Sequence, residues 1–149
     1  MRLFEPLRFI DASNFERIGH VIQACHVREQ CIILEHQRSA ALSRAVIGDI
    51  GIHFFDEGRQ AELGMTFDMK YQSQGYAREA ISTIITLLFT HYNKHRLIAV
   101  VDTCNIRAAN LLQKLHFRRE AHYRQNIFFK GEWGDEYCYA LLKEEHLRH

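Results

Sequence analysis

The stretch Gln72-Ser-Gln-Gly-Tyr-Ala77 joins an apparent strand to the strongest helical pattern in this 149-residue chain. A turn of small and polar residues at the start of a helix points several backbone N–H groups at one spot, with the positive end of the helix dipole behind them. Gly75 has no side chain, so the backbone there can approach a ligand closely. The stretch predicts an anion site suited to phosphate, and an ordinary strand-to-helix turn is the alternative. It is not a Walker loop, because that loop's spacing and lysine are missing.

The segments on either side of this turn have the periods of a strand and of a helix. Ala61–Phe67 has the pattern of a strand, and the tight turn Asp56–Arg59 joins it to another strand pattern over Ala45–Phe55. This arrangement predicts an antiparallel hairpin. After the turn, an amphipathic helix is predicted from about Tyr76 to Asn93. Its apolar stripe consists of Ile81, Ile84, Ile85, Leu88, Phe89 and Tyr92.

The C-terminal part of the chain predicts a strand, a helix and a pair of strands. Leu97–Val101 is apolar and β-branched, as in a strand that is buried on both faces. Asn105 can cap the next helix, whose apolar residues are Ala108, Leu111, Leu112 and Leu115. From Phe117 onward the pattern predicts two strands around Lys130–Asp135. Alternation marks the last strand at Tyr137, Tyr139 and Leu141.

The N-terminal part predicts a helix followed by a short strand and a loop. Ser13-x-x-Glu16 has the form of a capping box, and apolar residues at helical spacing extend the predicted helix from about Asn14 to Arg28. Cys31–Leu34 is predicted to be a short buried strand, and the polar Gln37–Arg44 a loop. The whole order of elements predicts a mixed-sheet α/β architecture in one domain spanning residues 1–149.

The composition excludes several classes of protein. Hydrophobic residues make up 47% of the chain and charged residues 25%, which argues against disorder. Lys and Arg number 19 against 18 Asp and Glu, so the basic excess of a dedicated nucleic-acid binder is missing. The most apolar stretch, Ala80–Phe89, is too short to span a bilayer, and no signal peptide is evident, so we expect a cytoplasmic protein without a membrane partner. No metal site is predicted, and buried reduced thiols are expected at Cys25, Cys31, Cys104 and Cys138.

Several motifs, in order and with matching gaps, resemble the GNAT superfamily of acyl-CoA-dependent N-acetyltransferases. The family's Q/R-x-x-G-x-G/A motif is matched by Gln72-x-x-Gly75-Tyr76-Ala77, preceded by Ala61-Glu-Leu-Gly-Met65. The family's helix N-x-x-S-x-x-L-L-x-K-x-G-F is similar to Asn105–Phe117. The end resembles the branch that acetylates the N-termini of ribosomal proteins, through Gly131-x-Trp133-x-Asp135 and Tyr139-Ala-Leu-Leu142. The resemblance implies a mixed, mostly antiparallel central sheet flanked by helices, of the acyl-CoA N-acyltransferase type.

The resemblance also implies a donor, acetyl-CoA, and a set of residues that bind it. The turn made of Gln72, Ser73, Gln74, Gly75, Tyr76 and Ala77 would bind the coenzyme A pyrophosphate through backbone N–H groups. The strand residues Met65, Thr66 and Phe67 would splay from the neighbouring strand and hydrogen-bond the pantetheine arm, and a backbone N–H there would polarise the thioester carbonyl. Asn105 would contact the arm as well as cap its helix.

The catalytic acid and base are less clearly marked than the coenzyme site. Where family members carry a tyrosine that acts as general acid, this chain has Leu112. Ala108 and His116 stand where the family motif has its serine and its glycine. By position, Glu62 is the candidate base, with a structural or substrate-orienting role as its alternative. Tyr137 and Tyr139 are candidate acids, with core packing as the default for both.

The acceptor that the resemblance implies is a primary amine, either a small molecule or a protein N-terminus. It would bind near the acidic residues Glu62, Asp135 and Glu136. The family usually begins with a further strand and helix, so we expect an exposed sheet edge and therefore a homodimer. A non-catalytic acyl-CoA-binding or regulatory module, and a purely structural interaction protein, remain alternatives.

Overall fold

A computed structural model describes residues 27–28, 31–38 and 43–148 of the chain. These residues form seven strands ordered into one sheet and three α-helices. In chain order the elements are β1 (Val27–Arg28), β2 (Cys31–Arg38), β3 (Ser43–Phe55), β4 (Gln60–Phe67), α1 (Tyr76–Thr90), β5 (Arg96–Asp102), α2 (Ile106–Lys114), β6 (Arg118–Phe129), β7 (Glu132–Leu142) and α3 (Lys143–His146).

The strands lie in the order β1-β2-β3-β4-β5-β7-β6. The pairs β1–β2, β2–β3, β5–β7 and β6–β7 are antiparallel, and β4–β5 is parallel. The parallel ladder joins Gln60–Glu62 to Arg96–Ile98, and β4 continues past it to Phe67. The expected α/β fold with a mixed, mostly antiparallel sheet is therefore confirmed.

The chain forms two compact units, and β3, β4 and α1 each contribute to both. The first unit contains the described residues up to Ile52 together with Met65–Ile84. The second unit contains His53–Gly64 and the chain from Ile85 onward.

In the first unit, β3 and β4 approach each other unusually closely at Gly48. A Cβ atom added to Gly48 would collide with the carbonyl oxygen of Thr66 and would lie 3.0 Å from Cδ1 of Phe67. Just beyond this point the Asp68 amide donates to the Ile47 carbonyl at 2.9 Å. Glycine is therefore the residue that permits the approach at this position, since it has no side chain.

Helix α1 begins at Tyr76 as predicted and ends at Thr90, earlier than predicted. The expected stripe at Ile81, Ile84, Ile85, Leu88 and Phe89 is buried, whereas Tyr92 lies beyond the helix and is half-buried. The chain turns away because Asn93 adopts a left-handed φ of 50°, and the Lys94 amide then donates to the Leu88 carbonyl. Left-handed residues commonly end helices in this way.

Helix α2 in the second unit has a capping motif at each end. The Asn105 side chain accepts a hydrogen bond from the Ala108 amide at 3.1 Å, which confirms the predicted cap. At the other end, His116 adopts a φ of 67° and its amide donates to the Gln113 carbonyl. The Phe117 amide donates to the Leu112 carbonyl at 3.0 Å, and these bonds complete a Schellman motif around a residue that is usually glycine.

Two predictions made from local sequence are wrong where the structure describes them. Val27–Arg28, expected to end a helix, forms a strand paired with Cys31 and Ile32, and the rest of the predicted helix Asn14–Arg28 lies outside the described residues. Of the predicted loop Gln37–Arg44, residues 37, 38, 43 and 44 belong to strands. Gln37 pairs with Arg44 and Arg38 with Ser43, because a neighbouring strand can satisfy the backbone of a polar segment.

The cysteine prediction is partly wrong as well. Cys138 is buried and reduced, but Cys104 is reduced and exposed in the turn before α2. Cys25 lies outside the described residues.

Candidate functional site

The chain between β4 and α1 is held in shape by its own polar side chains, all within the first unit. The Asp68 carboxylate accepts from the Lys70 amide at 2.9 Å, at the start of a short 3-10 turn over Met69–Tyr71. The Gln74 side-chain amide donates to the Lys70 carbonyl at 2.8 Å. These bonds fix the path of the backbone immediately before the predicted anion site.

Gln72 ties the predicted anion site to the end of β4. Its side-chain Nε2 donates to the Phe67 carbonyl at 3.0 Å, and the side chain is half-buried. The family motif marked this glutamine as a coenzyme-binding residue. In the structure its side chain also connects the turn to the strand segment Met65–Phe67 through this hydrogen bond.

Ser73 and Gly75 give the turn its shape. Ser73 has a φ of 62° and Gly75 a φ of 90°, both in the left-handed half of the backbone map. Turns in which left-handed residues alternate with others direct successive N–H groups into one concavity that suits an anion. The Gly75 carbonyl accepts from the Glu79 amide at 3.1 Å, so Gly75 directly precedes the first turn of α1.

The space over Gly75 is open. A Cβ atom added there would meet no heavy atom within 4 Å. Glycine is therefore required by the backbone conformation and not by a neighbouring group of the protein. The turn presents backbone, a helix N-terminus and open space at the same point.

The other predicted coenzyme residues of the first unit lie on both sides of this turn. Thr66, Ser73 and Gln74 are exposed, whereas Met65, Phe67, Tyr76 and Ala77 are half-buried. The rings of Tyr71 and Tyr76 lie 6.3 Å apart in a tilted contact across the turn. The structure thus brings the predicted pyrophosphate and pantetheine segments together in one unit.

Asn105, Glu62 and Tyr139 all belong to the second unit, where the strand register separates two of them. Glu62 pairs with Ile98, and Ile98 pairs with Ala140, so these three residues share one face of the sheet. Tyr139 neighbours Ala140 and therefore lies on the opposite face. The two candidate catalytic residues thus lie on opposite faces of this sheet.

Glu62 is accessible and has a histidine close by. Its side chain is 41% exposed, and its Oε2 lies 4.0 Å from Nδ1 of His53. The carboxylate is therefore accessible to a ligand on this face of the sheet.

Tyr139 is buried, with 1% of its surface exposed. Its hydroxyl lies 3.5 Å from Nε2 of Gln113 on α2, so it faces that helix. Leu112, at the family's tyrosine position, is completely buried. The burial of Tyr139 favours the packing role over that of an acid in contact with a ligand.

The predicted acidic residues Asp135 and Glu136 both have hydrogen-bond partners on β6. The Glu136 carboxylate accepts from the Asn126 side-chain amide at 2.6 Å. Asp135 accepts from the Gln125 amide at 2.8 Å and lies 2.7 Å from Nε2 of His122. These two bonds lower the pKa of Asp135 below its ordinary value, and the bond from the Gln125 amide has the larger effect.

His122 was not among the residues that the sequence singled out. It is one of ten histidines, and no spacing links it to Asp135 along the chain. Only the β6–β7 register, in which His122 pairs with Tyr137, brings it next to that carboxylate.

The described part of the chain contains no candidate metal-binding cluster and no candidate membrane-spanning helix. Among these residues, no group of three or more His, Cys, Asp or Glu side chains could hold a metal ion. Within the same ranges, no helix has the length and apolarity needed to cross a membrane.

Comparison with known proteins identifies the family. Residues 11–118 match the acetyltransferase (GNAT) domain, which is most of the chain. The chain belongs to the GNAT family. The resemblance seen in the turn Gln72–Ala77 and in α2 is thereby confirmed.

The individual relatives and solved structures bear N-acetyltransferase or acetyltransferase names. The chain is 37% identical over 100 residues to the uncharacterized N-acetyltransferase YnaD of Bacillus subtilis, covering 67% of this chain and 59% of that protein. It is 29% identical over 79 residues to the [ribosomal protein uS5]-alanine N-acetyltransferase of Escherichia coli, covering 53% of this chain and 41% of that protein. A GNAT-family acetyltransferase structure from Bacillus anthracis superposes with a TM-score of 0.70 at 29% identity, covering 78% of this chain and 68% of that one. The chain thus spans somewhat more than half the length of YnaD.

Proposed function

We propose that this GNAT chain is an acetyl-CoA-dependent N-acetyltransferase of the cytoplasm that transfers an acetyl group to a primary amine. The observation that carries the proposal is the turn before α1, where Gly75 has a φ of 90° beneath open space. An exposed backbone turn at a helix N-terminus is suited to bind a pyrophosphate. Membership of the GNAT family supports coenzyme A as the source of that pyrophosphate.

In this proposal the residues of the first unit bind the coenzyme. The turn Gln72–Ala77 binds the pyrophosphate through its backbone, and Gln72 keeps the turn attached to the end of β4. Met65, Thr66 and Phe67 hydrogen-bond the pantetheine arm through the strand backbone. Acetyl-CoA supplies the thioester, whose carbonyl oxygen a backbone N–H of this segment would polarise. Asn105 of the second unit contacts the arm while it caps α2.

The reaction requires a neutral amine and a protonated leaving group. An amine that arrives as a cation must lose a proton before its nitrogen can attack the thioester carbon. We assign this proton to Glu62, because its carboxylate is 41% exposed. Tyr139, a candidate acid by its strand position, is buried, which favours its packing role.

The acceptor is a primary amine in this proposal, and a protein N-terminus is one form of it. The E. coli relative is a ribosomal-protein alanine N-acetyltransferase, which supports that class. A panel should therefore contain a peptide with an N-terminal alanine and a simple alkyl diamine. Release of free thiol from acetyl-CoA with either amine is the expected result.

Replacement of Gly75 by valine tests the coenzyme site. A β-branched residue cannot easily adopt a φ of 90° and would place methyl groups in the space assigned to the pyrophosphate. Each charge-assisted hydrogen bond is worth roughly 1.5–3 kcal/mol, so losing two should weaken acetyl-CoA binding by about a hundred-fold or more. Calorimetry on folded wild type and variant provides the measurement. Equal affinity would overturn the coenzyme assignment and the acetyltransferase proposal.

A non-catalytic acyl-CoA-binding module is the second candidate function. The buried Leu112 at the family's tyrosine position favours it, since no hydroxyl is available there. Binding of acetyl-CoA without thiol release from any amine of the panel would support this module over the enzyme.

We also propose that the protein is a homodimer. Strand β6 is the last strand in the sheet order, and its residues are exposed except for the half-buried Ala121. The hairpin exposes Phe128, Phe129 and Trp133 by 59%, 66% and 60%. Apolar surface of this kind is commonly covered by a partner. Sedimentation at micromolar concentration should show a dimer, and a stable monomer would contradict the proposal.

A further inference from the structure

Two basic side chains flank the turn Gln72–Ala77, and both belong to the first unit. Lys70 is in the 3-10 turn just before it, and Arg78 is the third residue of α1. Both residues are exposed. Within the described ranges, neither cation forms an ion pair with a carboxylate. Both charges are therefore available to an anion from solution.

Arg78 lies on the side of α1 that carries the open space over Gly75. The Glu79 amide donates to the Gly75 carbonyl at 3.1 Å, so Gly75 is the cap residue and Arg78 the third helical residue. Residues three apart share one side of a helix, and helical side chains incline toward its N-terminus. From this third position a side chain can reach back to the cap, as a glutamate does in a capping box. The Arg78 side chain is thus within reach of the space over Gly75.

Lys70 is held against the other side of the turn by two hydrogen bonds to its backbone. The Gln74 side chain donates to the Lys70 carbonyl at 2.8 Å, and the Asp68 carboxylate accepts from the Lys70 amide at 2.9 Å. The nearby carboxylate of Asp68 is therefore bonded to the amide of Lys70. The ammonium group of Lys70 lies at the end of a long, exposed side chain beside the turn.

The placement of Arg78 opposes the dipole of α1. Acidic residues stabilise the first turn of a helix and basic residues the last, because the N-terminus is the positive end. Glu79 follows this rule, whereas Arg78 does not, and α1 has no basic residue in its last turn. Departures from such local rules concentrate at functional sites. A multiply charged anion would compensate for two cations and a helix dipole that meet at one turn.

Coenzyme A carries a second phosphate beside the pyrophosphate that we assign to the turn. It is a monoester on the 3′ oxygen of the ribose, and the pyrophosphate is joined to the same ribose. A phosphate monoester has close to two negative charges near neutral pH. A guanidinium group can bind it through two parallel hydrogen bonds, and an ammonium group binds it as a point charge. Side chains next to the pyrophosphate turn therefore suit this phosphate.

We propose that Arg78 and Lys70 bind the 3′-phosphate of acetyl-CoA and make the site selective for the complete coenzyme. The inference rests on the proposed acetyltransferase function, which supplies coenzyme A as the ligand of the turn. It goes beyond the turn itself, because backbone N–H groups would accept the pyrophosphate of a coenzyme with or without the third phosphate.

Calorimetry with acetyl-CoA and with 3′-dephospho-acetyl-CoA measures this selectivity, since the two ligands differ only by that phosphate. Wild type should bind acetyl-CoA about tenfold or more tightly than the dephospho ligand, as expected from one or two charge-assisted hydrogen bonds. Arg78→Gln and Lys70→Gln should each weaken the binding of acetyl-CoA and leave the affinity for the dephospho ligand unchanged. The ratio of the two Kd values should fall toward one, and it should fall furthest in the double variant.

Two further variants control for net charge and for bonding geometry. Arg124 on β6 of the second unit is exposed and has no ion pair within the described ranges, so Arg124→Gln removes the same charge from the chain. It should keep the wild-type ratio. Arg78→Lys should keep part of the ratio, because it retains the charge and loses the paired hydrogen bonds. Without ligand, Arg78→Gln should be at least as stable as wild type in thermal unfolding, because a cation leaves the positive end of α1.

The outcomes distinguish this inference from the proposed function. If wild type binds neither ligand, the coenzyme assignment fails and this inference fails with it. If wild type binds both ligands equally well, only the inference is overturned. Equal weakening of both ligands in Arg78→Gln and Lys70→Gln would assign these cations to the pyrophosphate and would also overturn it. A ratio that falls as far in Arg124→Gln would attribute the selectivity to net charge, with the same consequence.

Discussion

Replacing Gly48 with alanine should destabilise the first unit, because β3 and β4 approach too closely there for a side chain. The added Cβ would collide with the Thr66 carbonyl oxygen and would lie 3.0 Å from Cδ1 and 3.1 Å from Cα of Phe67. Two of these three contacts involve backbone atoms, which cannot rotate away as a side chain can. Forcing a methyl group into such a site costs about 1–3 kcal/mol.

Gly51 on the same strand is the matched control. A Cβ added there would meet no heavy atom within 4 Å. Alanine in a strand has less freedom to lose on folding than glycine, so Gly51→Ala should stabilise the protein by about 0.5–1 kcal/mol. The two variants therefore differ in sign, although they make the same chemical change in one strand.

Denaturant unfolding measures the difference in the free energy of unfolding, and acetyl-CoA calorimetry measures its consequence for the site. Thr66 belongs to the segment proposed to bind pantetheine, so Gly48→Ala should also weaken acetyl-CoA binding, whereas Gly51→Ala should not. Equal shifts in midpoint for the two variants would refute the close approach of β3 and β4. A destabilised Gly48→Ala with unchanged coenzyme affinity would instead refute the role of Thr66 alone.

Three further changes test other parts of the structure. His116→Gly should stabilise the protein by about 0.5–1 kcal/mol in thermal unfolding. A left-handed φ of 67° costs about 1–2 kcal/mol for a residue with a Cβ, and removing this cost is partly offset by the greater backbone entropy that glycine loses on folding. A destabilised variant would contradict this. Buried Lys94 donates to the Gly58 carbonyl, and desolvation lowers its pKa. Between that lowered pKa and the ordinary value of about 10.4, the unfolded chain binds more protons than the folded chain. The free energy of unfolding should therefore rise with pH over this range. Lys94→Met should remove this rise in a pH series of denaturation midpoints. Glu62→Gln should lower kcat by roughly 10²-fold with coenzyme affinity intact, and an unchanged kcat would exclude Glu62 from the mechanism.

Much of the fold could be predicted because its signals are short. The cap at Asn105, the start of α1 at Tyr76 and the turn Asp56–Arg59 each depend on a few adjacent residues, and each was confirmed. The predictions failed where pairing with another segment outweighs local preference. Val27–Arg28 became a strand because it pairs with β2, and no local pattern contains that partner.

For the candidate site too, some features could be predicted from short local signals and others could not. The turn Gln72–Ala77 was identified from its own residues together with the neighbouring motifs, since a glycine before an amphipathic helix becomes specific only when those motifs follow in the right order. The roles within the turn were not evident from the sequence. Only the structure shows that the Gln72 side chain bonds to the Phe67 carbonyl while Gly75 is needed for its backbone conformation.

The amino-acid sequence was enough to identify the family of this protein, the position of its predicted coenzyme turn and the helices beside it, because capping, periodicity and motif spacing act over a few residues. The folded chain was needed to show that Glu62 and Tyr139 lie on opposite faces of a sheet and that His122 is bonded to Asp135. Those facts depend on the register between strands, in which a shift of one residue moves every side chain to the other face. Register is set by packing between segments that are distant along the chain, so it cannot be inferred from the local sequence of either strand.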